Sequence, residues 1–195
     1  MPGWRGCISR IQGVQKGVQP LDCIKMVVTM NPCPCGYFPD RNRCCCSTGE
    51  ISRYLNRISQ PLLDRMDLCA ETTTPTYGEF RNKTREKIWT TSEMRAQVIT
   101  SQKIQQERYR KEKFQFNGEI PSDKIEKYCV TESDAEKLLK HAFSSLELTG
   151  RGCSRILKVA RTAADLTGSD IIKEEHMAEA IGYRALDKQY WKFNL

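Results

Sequence analysis

Apolar and polar residues along the chain form patterns that predict one short strand followed by several helices. The apolar run CIKMVVTMN, residues 23–31, is rich in Val, Ile and Met and is followed by prolines at positions 32 and 34. Because proline cannot donate to a β-ladder, this pattern predicts a buried strand that ends at Asn31. The glycine-studded stretch GCISRIQGVQKGVQPLD before it predicts a hairpin or an irregular loop.

A first amphipathic helix is predicted after residue 46. Ser47 or Thr48 is a suitable N-cap, and Glu50 falls in the first turn, where its charge complements the helix dipole. The helix is expected to end near Pro61. Apolar residues recur within it at three- and four-residue spacing, at Ile51, Tyr54, Leu55 and Ile58.

Three further helical patterns begin at Thr131 and predict a small helical bundle. The first extends from a T-x-x-D start to Gly150, the second covers 151–169 and the third covers 172–186. Their apolar faces carry Ala135, Leu138, Leu139 and Phe143, then Ile156, Leu157, Val159, Ala160, Ala163, Ala164 and Leu166, then Met177, Ala180, Ile181 and Leu186.

The stretch before this bundle is strongly basic. Residues 81–113 contain ten basic and four acidic side chains, and the whole chain has a formal net charge of +7. Ser92 is a possible helix cap, and Met94, Val98 and Ile104 form a narrow apolar stripe, so one side of this helix should lie against the body. The other side is either an ordinary solvated surface or a surface that meets phosphate.

Composition narrows the class of protein. The sequence is 39% hydrophobic and 28% charged, as in folded soluble proteins, and no run approaches the roughly 18 apolar residues of a membrane-spanning helix. The N-terminus shows no secretory signal. We therefore expect a cytoplasmic protein with no membrane partner, whose ten cysteines are reduced thiols or metal ligands rather than disulfides.

Five of those cysteines lie within CPCGYFPDRNRCCC. Cys33 and Cys35 form one C-x-C pair, and Cys44 and Cys46 form a second, so a short loop could present four thiolates tetrahedrally to Zn²⁺. Cys45 is then the residue that is not a ligand. Structural zinc, reduced thiols in a compact loop, and redox or iron–sulfur chemistry all remain open. The isolated Cys7, Cys23, Cys69, Cys129 and Cys153 are typical of core or near-surface positions.

The order of four motifs resembles the magnesium-chelatase-like AAA+ ATPases of the bacterial competence type. These motifs are MNPCPCGY, the paired-cysteine loop, ISRYLNRISQPLLDRMDL and RGCSRILKVARTAADLTGS, and the resemblance covers roughly residues 7–187. It implies an α/β plus α fold, in which the C-terminal part of a P-loop AAA+ core (sensor 1 strand, cysteine loop, arginine-finger helix) precedes a helical lid. The expected boundaries are 1–80 for the partial core, 81–128 for a basic helical connector and 129–190 for the lid.

The resemblance also implies roles for individual residues. Asn31 stands where the family keeps its sensor 1 residue, which orients the attacking water, and Arg65 matches the arginine finger that reaches a neighbouring subunit's nucleotide. Arg151 best matches the sensor 2 arginine, and Arg155 is the alternative. Without the resemblance, Arg65 would be read as part of a salt-bridged helix end and Arg151 as a helix-surface cation.

The sequence departs from the family in one respect. It contains no G-x-x-x-x-G-K-[ST] loop and no acidic strand end to hold Mg²⁺. We therefore expect the chain to need a missing N-terminal half to bind ATP and Mg²⁺, and to be inactive alone. In the full-length family the resemblance implies a homo-oligomeric ring that acts on DNA as a helicase-like branch-migration motor.

Two other functions fit the same residues. One is a non-catalytic, zinc-stabilised module that binds nucleic acid, although its aromatic residues are too sparse for an evident base-stacking platform. The other is a partner-binding remnant of a truncated gene. Nothing in the sequence points to insertion of magnesium into a porphyrin.

Overall fold

A computed structural model describes residues 27–72, 77–78 and 89–191. The predicted hairpin at 6–22, with Cys7, and most of the predicted strand, with Cys23, lie outside the described residues. Within the described residues no strand is formed, so the sheet of the AAA+ core stays a prediction. One isolated parallel bridge joins Thr131 to Ile172.

Seven α-helices have defined bounds in the described residues. They are α1 (Thr48–Leu55), α2 (Gln60–Leu63), α3 (Thr91–Arg108), α4 (Ile125–Tyr128), α5 (Ser133–Ser145), α6 (Gly150–Leu166) and α7 (Glu174–Trp191). Two 3₁₀ turns, Asn117–Glu119 and Ser122–Lys124, lie between α3 and α4. None of the helices in the described part is long and apolar enough to cross a membrane.

The chain divides into two compact units, whose described residues fall in 27–57 and 58–191. In the first unit α1 begins as predicted at Ser47, where the Oγ atom accepts the Glu50 N–H at 3.3 Å and the Glu50 carboxylate accepts the Ser47 N–H at 2.9 Å. This reciprocal pair is a capping box. The helix ends at Leu55, earlier than predicted, because Pro61 belongs to the first turn of the separate helix α2.

In the second unit α5, α6 and α7 pack together, which confirms the helical bundle predicted for the lid. Helix α6 has the broadest buried face, whereas Phe143 of α5 is 46% exposed, contrary to prediction. Helix α5 ends at Ser145, and Gly150 instead opens α6, where Thr149 Oγ1 caps the Gly152 N–H at 3.1 Å. The core is Tyr109, Phe114, Ile120, Ile125, Cys129, Ala135, Leu139, Ala142, Leu148, Ile156, Ala160, Ala164, Ile172, Met177 and Ala180.

Helix α3 meets this core differently from the prediction. Its N-cap is Thr90 rather than Ser92, because Thr90 and Glu93 form the capping box. Residues 91–100 are exposed on all sides, so Met94 and Val98 of the predicted apolar stripe do not lie against the body, and only its last member, Ile104, is half-buried. The contact with the lid begins only at Ser101 and Gln105, and the chain that follows α3 enters the lid core.

A buried ionic junction joins the end of α3 to α6. The Asp165 side chain is fully buried and accepts hydrogen bonds from Arg108, from Asn117 Nδ2 at 2.8 Å and from Arg161 Nη2 at 3.0 Å. Arg161 is 1% exposed and also donates to the Asp170 carbonyl at 2.7 Å. Because both guanidinium groups contact the same carboxylate, neither is left as a lone buried ion, which would carry a large penalty.

Candidate functional site

The cysteine loop brings four sulfur atoms together. The Sγ atoms of Cys33, Cys35, Cys44 and Cys46 all lie within 4.8 Å of one another, whereas Cys45 is exposed and is not in this group. Three of the separations are 3.3, 3.8 and 3.6 Å, between Cys33 and Cys35, Cys33 and Cys44, and Cys35 and Cys44. Four thiolates around Zn²⁺, at about 2.3 Å each, stand about 3.8 Å apart, so the group can hold a metal ion.

Tight turns in the backbone create this cluster. Gly36, at φ +84°, donates its N–H to the Cys33 carbonyl at 3.1 Å and bends the chain between the first two cysteines. The Asp40 carbonyl then accepts the Cys44 N–H at 2.8 Å, which brings the second pair back toward the first. The Phe38 N–H donates to Cys33 Sγ at 3.4 Å and holds that sulfur against the turn.

The sulfur atoms differ in their affinity for protons. A hydrogen bond from the Tyr37 backbone N–H is the main cause that lowers the pKa of Cys35 to about 6. The Cys35 backbone N–H favours the thiolate of Cys46, but burial and the neighbouring sulfurs outweigh it and raise the pKa of Cys46 to about 12. Burial also raises the pKa of Cys44. Of these three cysteines, Cys35 is therefore the one whose thiolate is favoured.

The outside of the loop is basic. The Arg43 guanidinium stacks 4.2 Å from the centre of the Tyr37 ring, and the Arg41 guanidinium lies 5.1 Å from that of Phe38. Both arginines are exposed. Cation–π contacts hold these charges against the loop without neutralising them, so they remain available to an anion.

Asn31 lies immediately before this loop and is exposed. A Cβ atom at Gly36 would stand 3.5 Å from Asn31 Nδ2, so the amide is packed closely over the first turn of the loop. The position of the predicted sensor 1 residue and the shape of the cysteine loop are thus linked.

Arg65, in the second unit, follows α2 and is also exposed. Its Nη1 atom donates to the Pro61 carbonyl at 2.7 Å, in the same short stretch of chain. No ion pair is formed by its side chain within the described residues. The guanidinium therefore keeps most of its donors for another molecule.

The two candidate sensor 2 arginines, both on α6, have different surroundings. Arg151, in the first turn, is exposed and has no hydrogen bond or ion pair to the rest of the described chain. Arg155, one turn later, pairs with the Asp67 carboxylate and donates to the Arg65 carbonyl at 2.8 Å. Arg155 thus binds the segment that carries Arg65, whereas Arg151 forms no hydrogen bond or ion pair with it.

A further arginine at this place escaped the sequence reasoning. Arg184 of α7, only 4% exposed, donates to the carbonyls of Leu63 at 3.2 Å and Met66 at 3.1 Å, and to Asp64 Oδ1 at 2.9 Å. The signal was present in the spacing, because Arg184 continues the buried register of Met177 and Ala180. An arginine in an apolar register indicates a buried ionic contact.

Comparison with known proteins gives consistent matches along the chain. Residues 8–80 match the family model for magnesium chelatase, subunit ChlI, and residues 89–184 match the model for the C-terminal part of the same subunit. The chain is 39% identical over 163 residues to the competence protein ComM of Haemophilus influenzae, covering 83% of this chain and 31% of that protein.

Two other relatives carry no functional description in their names. The protein YifB of Escherichia coli is 37% identical over 165 residues, covering 84% of this chain and 31% of YifB. The protein Rv2897c of Mycobacterium tuberculosis is 31% identical over 160 residues, covering 82% of this chain and 31% of that relative. The chain thus spans about a third of the length of the curated relatives that it matches.

Proposed function

The chain belongs to the magnesium-chelatase-like family of AAA+ ATPases, and we propose that it supplies three polar residues that respond to a bound nucleotide. They are Asn31 as sensor 1, Arg65 as the arginine finger and Arg151 as sensor 2. The full assembly would couple ATP hydrolysis to remodelling or branch migration of DNA. The name of one relative, a competence protein, supports the competence-type assignment on which the proposed action on DNA rests.

The contrast between Arg151 and Arg155 carries this proposal. Both stand at the start of α6, yet Arg155 is used to hold the Arg65 segment, and Arg151 is exposed without a partner among the described residues. A residue that binds a phosphate oxygen must have donors to spare. We therefore assign sensor 2 to Arg151 and a structural contact to Arg155.

Arg65 would act by charge. A planar guanidinium can donate two parallel hydrogen bonds to phosphate oxygens and stabilise the negative charge that builds up in phosphoryl transfer. The exposed position of Arg65 suits an action on the nucleotide of a neighbouring subunit in a homo-oligomeric ring. Asn31, with an amide that both donates and accepts, would orient the attacking water.

The groups that hold ATP and Mg²⁺ are not in this sequence. It has no glycine-rich G-x-x-x-x-G-K-[ST] loop to bind phosphates, so the residues present do not fit a complete nucleotide site. We propose that another segment of polypeptide supplies that loop. The proposed work of this chain is confined to presenting Asn31, Arg65 and Arg151.

The cysteine group would hold Zn²⁺ as a structural ion. Four sulfur ligands and no open coordination position are typical of structural rather than catalytic zinc. Such an ion would fix the turn at Gly36 and, through it, the packing of Asn31. We infer no redox role, because the arrangement of four converging sulfurs is sufficient for a closed site.

The experiment compares the isolated chain with a chimera in which it replaces the matching 163 residues of the Haemophilus influenzae relative. We expect no ATP hydrolysis by the chain alone and hydrolysis by the chimera at a rate comparable to the intact relative. Arg65→Ala should lower kcat by about 10³-fold or more. Arg57→Ala, at another exposed arginine, is the matched control. Full activity of the Arg65→Ala chimera would refute the assignment.

A zinc-stabilised nucleic-acid-binding module is the second candidate, and the exposed Arg41 and Arg43 on the cysteine loop favour it. Contacts from these side chains to phosphate would make binding weaken steeply with salt. Binding of single-stranded DNA by the isolated chain, lost in Arg41→Ala/Arg43→Ala and unaffected by nucleotide, would support this candidate. If the chain binds single-stranded DNA in this way and the chimera has no ATPase activity, the nucleic-acid-binding module is favoured over the ATPase.

A further inference from the structure

The segment that carries Arg65 is held by arginines from two lid helices. Arg184 of α7 donates to the carbonyls of Leu63 and Met66 and to the Asp64 carboxylate. Arg155 of α6 donates to the carbonyl of Arg65 itself and pairs with Asp67. Main-chain or side-chain oxygens of all five consecutive residues 63–67 thus accept from one of these two guanidinium groups.

Little apolar packing holds this segment in the part of the chain that the structure describes. Helix α2 has only four residues, which is too short for a helix to persist by its own hydrogen bonds. Leu63 is buried, but Leu62 and Leu68 on either side of it are exposed. Because this segment buries little apolar surface, its backbone conformation must be stabilised mainly by polar contacts.

The two arginines have different environments. Arg184 is almost fully buried, so its hydrogen bonds are shielded from water and are correspondingly strong. The Asp67 side chain is 68% exposed, and an ion pair with so exposed a partner contributes little by itself. The bond from Arg155 to the Arg65 carbonyl is therefore the more informative contact, because it touches the backbone of the residue whose direction matters.

We propose that Arg155 and Arg184 are positioning residues, which clamp residues 63–67 to the lid and so set the direction in which Arg65 points. The inference rests on the proposed role of Arg65 as the arginine finger. Helix α6 carries both Arg151 and Arg155, one helical turn apart, so a movement of this helix would move both residues. A displacement of α6 by a nucleotide at Arg151 would be passed through Arg155 to the backbone of Arg65.

The clamp can be tested on the isolated chain by hydrogen–deuterium exchange, without nucleotide. The amides of Arg65 and Met66 donate to the carbonyls of Leu62 and Leu63 at 2.9 Å each, so they report directly on this backbone. In Arg155→Ala we expect exchange of peptide 61–69 to accelerate at least about tenfold, with α5 unchanged. Arg110→Ala, at an exposed arginine paired with Glu107, is the control.

Arg184→Ala removes a buried charge and could unfold the lid, so Arg184→Lys is tested beside it. Lysine keeps the charge and one hydrogen bond, and it should leave the lid folded while still accelerating exchange in 61–69. Arg155→Lys should restore only part of the protection. Unchanged exchange of 61–69 in both Arg155→Ala and Arg184→Lys would overturn the clamp.

The chimera then separates the clamp from the role of Arg65. If both hold, Arg155→Ala lowers kcat with little change in KM, and Arg65→Ala/Arg155→Ala loses no more than Arg65→Ala alone. Two results together would keep the clamp and reject the arginine finger. They are accelerated exchange of 61–69 in Arg155→Ala and full ATPase activity of the Arg65→Ala chimera. Exact additivity of the two substitutions would reject positioning by Arg155.

Discussion

Arg108 of α3 and Asp165 of α6, separated by 57 residues in the chain, form a two-bond ion pair in which the carboxylate is fully buried. A second arginine, Arg161, is buried against the same carboxylate. Asp165 thus contacts two cations at the junction between the basic helix and the lid, and it is the one anion that does so among the described residues.

Removal of this anion should be strongly destabilising. In Asp165→Ala the buried Arg161 would keep its charge without a compensating carboxylate, and breaking a buried pair in this way costs about 3–5 kcal/mol. Urea unfolding followed by circular dichroism measures the loss. Asp134→Ala is the control, because its pair with Lys137 is exposed and contributes at most about 1 kcal/mol. Equal losses in the two variants would contradict a buried junction.

Glu112 should make the stability of the lid sensitive to acid. A hydrogen bond from Lys124, assisted by Tyr128 and Lys127, lowers the pKa of Glu112 from 4.5 to about 2. Because the folded state holds this carboxylate ionised, its contribution is fully present above pH 4.5 and is lost as the pH falls toward 2. Glu112→Gln should therefore lower Tm at pH 7. Its Tm should also decrease less between pH 4.5 and pH 2 than the Tm of the wild type does.

Melting curves of wild type and Glu112→Gln across this pH range provide the test. Glu107→Gln, at an exposed carboxylate that forms an i,i+3 pair with Arg110, is the matched control and should follow the wild type. If Tm falls by the same amount between pH 4.5 and pH 2 in Glu112→Gln and in wild type, other carboxylates are responsible for the loss of stability in acid.

Metal content should depend on the four clustered cysteines and not on the fifth. We expect about one zinc ion per chain after dialysis, and loss of most of it in Cys33→Ser and Cys46→Ser. Cys45→Ser is a control from within the same loop, because its side chain is exposed and outside the group. Metal analysis by mass spectrometry decides the point, and equal metal loss in Cys45→Ser would refute the ligand set.

Gly36 should tolerate no side chain without cost. Its φ of +84° is in the left-handed region, where an L residue loses about 1–2 kcal/mol. Gly36→Ala should therefore weaken zinc binding by about tenfold in a competition titration with a chelator, because the loop must hold that turn to converge its sulfurs.

Gly49→Ala is the paired control for that experiment. Gly49 lies in α1, and a Cβ atom there meets nothing within 4 Å. Alanine favours the helix more than glycine does, so the variant should retain its zinc affinity and be slightly more stable. A comparable loss of affinity in both variants would indicate that the turn at Gly36 is not what limits binding.

The lid helices could be predicted because apolar residues are periodic there. Residues such as Ile156, Ala160 and Ala164 recur at helical spacing and are buried in the structure. Helix α3 was also predicted, but the way it packs could not be predicted from such a pattern. Its apolar residues Met94 and Val98 are exposed, and it contacts the lid through polar side chains that hydrogen-bond, which no apolar pattern shows.

Part of the candidate site could likewise be predicted from the sequence, and part could not. The two C-x-C pairs indicated converging ligands, because the distances along so short a loop leave few other arrangements. The spacing indicated that Arg184 is buried, but its partners could not be predicted: two of them are the main-chain carbonyls of Leu63 and Met66, about 120 residues away. Backbone acceptors leave no mark in a sequence, so these two contacts become visible only when the fold is known.

The single bridge between Thr131 and Ile172 has a consequence for how the lid folds. The Glu132 N–H donates to the Ile172 carbonyl, and the Ile172 N–H donates to the Val130 carbonyl, each at 2.9 Å. These bonds close a loop that contains the whole of α5 and α6. Such a closure is a non-local contact, whose entropic cost is recovered only when both helices have packed. We expect the lid to unfold in one cooperative step, with α5 and α6 released together.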